Sequence, residues 1–148
     1  MDFEMKNRQP LDLITLFKNK LGDDFILPPP IFNMMACEVI NYSEVEKSLT
    51  VKIPINTEWL NPYGTMQGGM IDAAIDNAVG PLSMLVAPPN MTRTIETKLL
   101  KAIRMDVGYI YVTAHLMEQK KRRLTFEAKV IDMNDVVYAT SKVVNFVL

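Results

Sequence analysis

The segment from Asn61 to Gly80, NPYGTMQGGMIDAAIDNAVG, gathers residue types that can do chemistry at spacings that let them do it. Gly68-Gly69 stands where the chain leaves a loop and enters an apolar, helically spaced run. The first N–H groups of a helix have no partner inside it, and glycine lets a ligand come close to them. The helix dipole adds positive potential at the same end, so negative charge developing on a carbonyl oxygen would be stabilised there. By itself a Gly-Gly pair marks only a tight loop-to-helix junction. Asp76 gives it chemical content: it lies two turns further on, among Ala73, Ala74, Ile75, Ala78 and Val79. An ionised carboxylate there has to be paired or used. Asp72 is four residues earlier on the same stripe. It is expected in the first turn, where free N–H groups and the dipole favour an acid, so helix capping and charge complementarity account for it.

These residues need an element to hold them. Ile71, Ala74, Ile75, Ala78, Val79 and Leu82 recur at three- and four-residue steps, which predicts a long helix over residues 68 to 86, closed by Ala87-Pro88-Pro89-Asn90. Around it the period is two. Strands are expected at Met35 to Tyr42 and Leu49 to Ile53, joined by the turn Ser43 to Lys47. Four more follow at Met91 to Lys101, Val107 to Glu118, Leu124 to Asp132 and Val136 to Val147, the last three joined by polar breaks of hairpin length. Before all of these, Leu11 to Leu21 reads as a short amphipathic helix with Gly22 as its stop, and Pro28-Pro29-Pro30 as an extended linker. The order implies an α+β fold, an antiparallel sheet of five to six strands curled around one central helix. Residues 1–30 are expected to form the amino-terminal helix and proline-rich linker, and residues 31–148 the main domain.

Bulk properties remove several classes of function. The chain has 148 residues, 49% of them hydrophobic, and a formal net charge of -1, so general nucleic-acid binding, which needs a basic excess, is not expected. No apolar run approaches the roughly 18 residues of a membrane span, and the start, MDFEMKNRQP, lacks the basic-then-apolar order of a secretory signal. A cytoplasmic protein without membrane insertion is the expectation. Cys37 is the only cysteine and His115 the only histidine, so neither a disulfide framework nor a usual zinc ligand set can be built, and no metal is expected.

Asn61-x-x-Gly64-Thr65-Met66-Gln67-Gly68-Gly69, with Asp76-Asn77 at the matching offset, resembles the signature of hotdog-fold thioesterases of the phenylacetyl-CoA thioesterase-like branch. The likeness runs from about Asn33 to the carboxyl end and is densest over Asn61 to Gly80. It implies an acyl-CoA thioesterase, with coenzyme A as part of the substrate and no separate cofactor. By the same resemblance, Asp76 would activate water or act as nucleophile, Gly68 would supply the oxyanion N–H with Gly69 beside the substrate, and Asn61 would orient water or thioester. Thr94 would assist the water. The site would be shared across a homodimer, with a dimer of dimers as a further step. Gln67 departs from the pattern, since the family usually carries histidine before the two glycines. Glutamine donates and accepts hydrogen bonds but takes up no proton near neutral pH.

Lys120-Lys121-Arg122-Arg123 forms a compact basic turn, with Arg93, Lys98, Lys101 and Arg104 on or near one strand. A solvated hairpin tip and a site for the phosphates of coenzyme A both fit it. The methionines, eleven in all, fill core space or line an acyl tunnel. Trp59 and Tyr63 brace the loop around Asn61 or line the same pocket. His115 reads as structural and Cys37 as buried. Two other functions fit the residues less fully: a non-catalytic acyl-CoA or lipid-binding hotdog protein, suggested by Gln67, and an enoyl-CoA hydratase, which would need His115 beside Asp76.

Overall fold

The computed structural model describes residues 1–17, 20 and 24–148. Its centre is helix α4, Gly68–Val86, which matches the predicted span end for end. Ile71, Ala74, Ile75, Ala78, Val79, Leu82 and Leu85 form its buried stripe. A six-stranded antiparallel sheet in the order β1-β2-β4-β5-β6-β3 packs against that stripe. The strands are β1 (Glu38–Ser43), β2 (Ser48–Pro54), β3 (Asn90–Leu99), β4 (Tyr109–Lys120), β5 (Arg123–Ile131) and β6 (Val137–Val147). Alternation works as period-two patterning requires: Leu49, Val51 and Ile53 of β2 and Leu124, Phe126, Ala128 and Val130 of β5 all point to the helix and are buried.

Pro81 lies inside α4 and is itself buried. Its ring removes one N–H from the ladder, and the tight packing on that side holds the helix together through it. The opposite side of α4 is open. Gly69 is exposed there, and Asp72, Ala73, Asp76 and Gly80 are half-buried, so the helix presents small and acidic residues where the sheet does not reach. β3 follows directly from α4 and ends up at the edge of the sheet, hydrogen-bonded to β6 on one side only.

The amino-terminal part differs from expectation. Within the predicted helix the structure has α2 over Leu13–Phe17, with Leu13 and Phe17 buried in the core, while Leu21 and Gly22 lie outside the described residues. A further short helix, α1, covers Phe3–Lys6. The proline triplet is not extended throughout: Pro30 opens helix α3, Pro30–Met34. A proline at the first helical position loses nothing, because its missing N–H would have been unpaired anyway. The first strand therefore starts at Glu38, after Met35 closes α3 and Ala36 turns with a positive φ of 50°.

Candidate active site

Asn61 builds the loop that leads into α4. Its side-chain oxygen accepts from the N–H groups of Tyr63 at 3.0 Å and Thr65 at 3.2 Å, and its amide nitrogen donates to Thr65 Oγ1 at 2.9 Å. Its backbone N–H reaches Thr65 O at 2.8 Å. The amide thus holds its own loop closed, and its second N–H has no acceptor among the described residues. Gly64 takes the positive φ of 75° that this turn needs. The loop is pinned to its surroundings by Met66 N–H to Ile103 O at 2.7 Å and Gln67 N–H to Trp59 O at 2.8 Å.

Gln67 is the N-cap of α4, and its side-chain oxygen accepts from Met70 N–H at 3.1 Å. The residue that departs from the family pattern therefore points at the helix. A Cβ at residue 69 would stand only 2.9 Å from that oxygen, so the glycine there makes room for the cap. Gly68 is close-fitted in a different way, with Leu99 Cδ1 at 3.2 Å from where its Cβ would be. Met70 and Ile71 N–H are taken by Gln67 O, whereas the N–H groups of Gly68 and Gly69 have no acceptor among the described residues. Gly68 lines a cleft of about 240 Å³ together with Asn61, Thr65, Leu99, Lys101 and Ile103.

Asp76 is half-buried on the open side of α4, and its Oδ1 accepts from Thr92 Oγ1 at 2.9 Å. Its Oδ2 has no protein donor among the described residues. Asp72, one turn earlier, is held in the same way by Thr97 Oγ1 at 2.6 Å, and Thr97 Oγ1 lies 2.9 Å from Ser141 Oγ. Asp72 does not cap the helix as expected. It falls past the first turn, which holds no acid, and Gln67 does the capping.

Thr92 and Thr97 are five residues apart, an odd number, so on a regular strand they would face opposite ways. A bulge between Thr92 and Thr94 resets the alternation and turns both toward α4. The same bulge leaves Thr94 exposed on the other face, three residues from Thr97. The hydroxyl that meets Asp76 is therefore that of Thr92. A period-two reading of Thr92-Arg93-Thr94 cannot find it, because nothing in the residue types marks the bulge.

Arg93 and the Lys120 to Arg123 turn lie together at the other end of the sheet, whereas Lys101 lines the cleft at Gly68 and Arg104 is bridged to Thr65. Arg93 lies over the Phe146 ring at 5.5 Å, and Phe146 is paired with Arg123. Arg122 Nε donates to Val147 O at 3.0 Å, and Lys121 makes the turn with a φ of 56°. Lys120, Lys121, Arg122 and Arg123 are all exposed. This end is reached from Asp76 through Thr92 and Arg93, and lies away from Gly68. His115 is on the outer face of the sheet, paired in register with Ser48 and Glu127. It lines a separate cavity of about 420 Å³ with Asn41, Thr50 and Thr113. It forms no pair with Asp76, which removes the geometry a hydratase would need within one chain. Cys37 is buried, and burial pushes its thiol up to about 12. No group of three or more His, Cys, Asp or Glu side chains suited to a metal ion occurs among the described residues. No helix among them is long and apolar enough to cross a membrane.

No protein-family model and no curated protein matches the sequence. Solved structures do. The PaaI protein of the Escherichia coli phenylacetic acid degradation operon superposes with a TM-score of 0.76 at 12% identity, over 93% of this chain and 91% of that one. A phenylacetic acid degradation-related protein of Ralstonia eutropha JMP134 gives 0.77 at 16% identity, over 93% of this chain and 100% of its own. A Streptococcus mutans UA159 protein bound to acetyl CoA gives 0.70 at 16% identity, over 88% and 97%. At these identities the likeness carries the fold, and the fold is the hotdog fold.

Proposed function

We propose that this hotdog chain hydrolyses acyl-CoA thioesters to a free carboxylic acid and coenzyme A, in a site shared between two copies. The observation that carries the reading is the placement of two complementary groups on one open helix face. Gly68 offers a free N–H donor and Asp76 offers a carboxylate with one oxygen anchored and one open. Along the helix the two are eight residues apart, an axial offset of about 12 Å. Both must lie about 3 Å from the reacting atoms to act on one carbonyl. A single chain fails that test. A second copy running antiparallel along α4 sets Gly68 of one beside Asp76 of the other, twice, and the open edge of β3 lies next to this face.

In such a site the thioester oxygen accepts from the N–H of Gly68 as it gains charge. Asp76 takes a proton from water, the water oxygen bonds to the carbonyl carbon, and the C–S bond breaks to release the thiolate, which recovers the proton. Attack by Asp76 itself is the variant in which an anhydride forms first and water opens it. Thr92 keeps Oδ1 as an acceptor, so the free pair on Oδ2 meets the water. Asn61 and Gly69 border the acyl carbonyl, and Thr92, which donates to Asp76, takes the water-assisting part that the resemblance gives to Thr94, a residue exposed on the other face of β3. Arg93 and Lys120 to Arg123 belong to the copy that supplies Asp76, where they suit the anionic phosphates of the nucleotide. The acetyl CoA in the similar Streptococcus mutans structure supports that class of ligand. The reading needs no metal or redox group, and a cytoplasmic location fits its substrate.

A non-catalytic acyl-CoA binder is the second reading. It is favoured by Gln67, whose amide is turned to Met70 N–H and carries no proton to the site. A thiol-release panel of short, medium and aryl acyl-CoAs, run on wild type and Asp76→Ala, decides between the two. Hydrolysis that falls by about 10²- to 10⁴-fold in the variant supports the first. Tight binding of acyl-CoA without turnover establishes the second.

A further inference from the structure

We propose that the cavity on the outer face of the sheet binds a small neutral ligand through vicinal hydroxyl groups, a sugar or the ribose of a nucleoside. The inference is independent of the hydrolase reading, because Gly68 and Asp76 lie on the other side of the sheet. The cavity volume of about 420 Å³ falls among small-ligand pockets, which hold roughly 300–1,000 Å³. Its floor comes from side chains that alternate away from the core: Ser48 and Thr50 of β2, Thr113 and His115 of β4, Glu127 and Lys129 of β5. Register arranges them in two rows, with Ser48, His115 and Glu127 in one and Thr50, Thr113 and Lys129 in the other. The rows are about 7 Å apart and neighbours within a row about 5 Å apart, a grid that one ring with hydroxyls on its edge spans.

The chemistry of these groups selects the ligand. Ser48 is only 3% exposed and lines the cavity, and its Oγ has no hydrogen-bond partner among the described residues. Buried hydroxyls are almost always paired, so this one calls for a group brought from outside. Thr50, 2% exposed, shares one hydrogen bond of 2.8 Å with Thr113, which leaves one of the two hydroxyl protons free. Asn41, across from Thr50, accepts from Arg8 Nη1 at 2.7 Å, and its own amide hydrogens have no acceptor among the described residues. Acceptors come from Glu127 and, on the hairpin turn, Glu46. Donors and acceptors thus border one space, and hydroxyl groups, each of which donates and accepts, satisfy both. A carboxylate accepts from both oxygens of a vicinal pair. The charges oppose an ionic ligand: Lys129 faces the two carboxylates and Arg8 stands behind Asn41, so neither sign prevails. Met1 and Met5, with Ile131, give the cavity an apolar wall for the face of a ring. That wall is held in advance. Lys6, itself buried, pairs with Asp135 at 3.1 Å and donates to Met133 O, and Leu11 N–H reaches Val39 O at 2.7 Å. A preformed site loses little freedom when it binds.

His115 is the only histidine of the chain and lines the cavity, so its imidazole Hε1 resonance reports occupancy without ambiguity. At fixed pH, titration of the full chain with D-ribose, D-glucose and adenosine should move that signal saturably for at least one of them, with a Kd of about 1 mM or below. Saturation by a sugar without adenosine assigns a free sugar, the reverse assigns a nucleoside, and binding of both keeps the shared chemistry. Where adenosine binds, 2′-deoxyadenosine, which lacks the vicinal pair, should bind about tenfold more weakly. Adenosine 5′-monophosphate should bind no more tightly than adenosine, because Glu46 and Glu127 border the site. Ser48→Ala and the exposed Glu127→Gln should each weaken binding about tenfold while circular dichroism shows the fold intact. The inference is overturned by any of four results: no saturable movement with the three probes, equal affinity for adenosine and its deoxy form, tighter binding of the monophosphate, or unchanged affinity in either variant.

Discussion

If Gln67 is a helix cap and Gly69 the space for it, the two positions must be energetically coupled, and the size of the coupling can be worked out. Removing the cap with Gln67→Ala leaves Met70 N–H without its side-chain acceptor and should destabilise the fold by about 1 kcal/mol, within a range of roughly 0.5–2. Gly69→Ala has two opposed effects. Alanine lowers the backbone entropy lost on folding and should stabilise the helix by about 0.5–1 kcal/mol. Its Cβ, however, would stand 2.9 Å from Gln67 Oε1, so the flexible amide must swing away and the cap is lost. The single variant should therefore be nearly neutral. In the Gln67→Ala background there is nothing to displace, and Gly69→Ala should recover its full benefit. The expected interaction is about 1 kcal/mol, readable as a Tm difference of about 2–4 °C or from urea melts of the four proteins. Additivity within about 0.3 kcal/mol would mean that the amide does not cap α4, and Gln67 would return as a residue free to face the substrate.

Thr92→Val should lower kcat by about tenfold while Thr94→Val changes it little, because only the former removes the hydrogen bond to Asp76; stopped thiol-release assays on both variants check this. Reversing the turn with Arg122→Glu and Arg123→Glu should raise KM for acyl-CoA by about tenfold or more, with a weaker salt dependence than wild type, and leave hydrolysis of a short thioester without the nucleotide unchanged. The Cys37 thiol should resist alkylation in the native state, since burial lifts it to about 12 from 9.0. The folded chain holds that proton more tightly than the unfolded one, so this contribution to stability is complete below pH 9.0 and is lost as pH climbs toward about 12. Denaturant midpoints measured across that window should fall in wild type and stay flatter in Cys37→Ala.

Most of the architecture is legible in the residues because burial imposes a period. The stripe Ile71, Ala74, Ile75, Ala78 and Leu82 has one helical reading, and Leu124 to Val130 has one strand reading, so α4 and β5 appear where they are expected. Pro28-Pro29-Pro30 is less legible, since proline is as suitable for the first helical position as for an extended linker, and packing of Phe32 into the core selects the helix. At the site, Gly68 and Asp76 announce themselves by chemistry: a glycine at a helix entry and an acid among alanines. Their supports do not. Thr92 is hidden by a bulge that shifts phase by one residue, and the direction of the Gln67 amide depends on a glycine two residues away.

The supports also explain why both acids are addressed from the same strand. Thr92 and Thr97 each anchor one oxygen of an aspartate one helical turn apart, and each leaves the other oxygen open toward the side that the sheet does not cover. β3 is at the same time one of the two edges of the sheet. In the proposed dimer, the element that orients the acids is thus the element nearest the second copy. An unpaired edge strand is mobile and prone to non-specific pairing unless it is covered. Covering it would fix the bulge, the bulge fixes Thr92, and Thr92 fixes which oxygen of Asp76 is free. Assembly then acts on the acid as well as bringing the oxyanion donors to it, so a variant that weakens the edge, such as a proline at Ile95, should reduce turnover per assembled dimer as well as the amount of dimer.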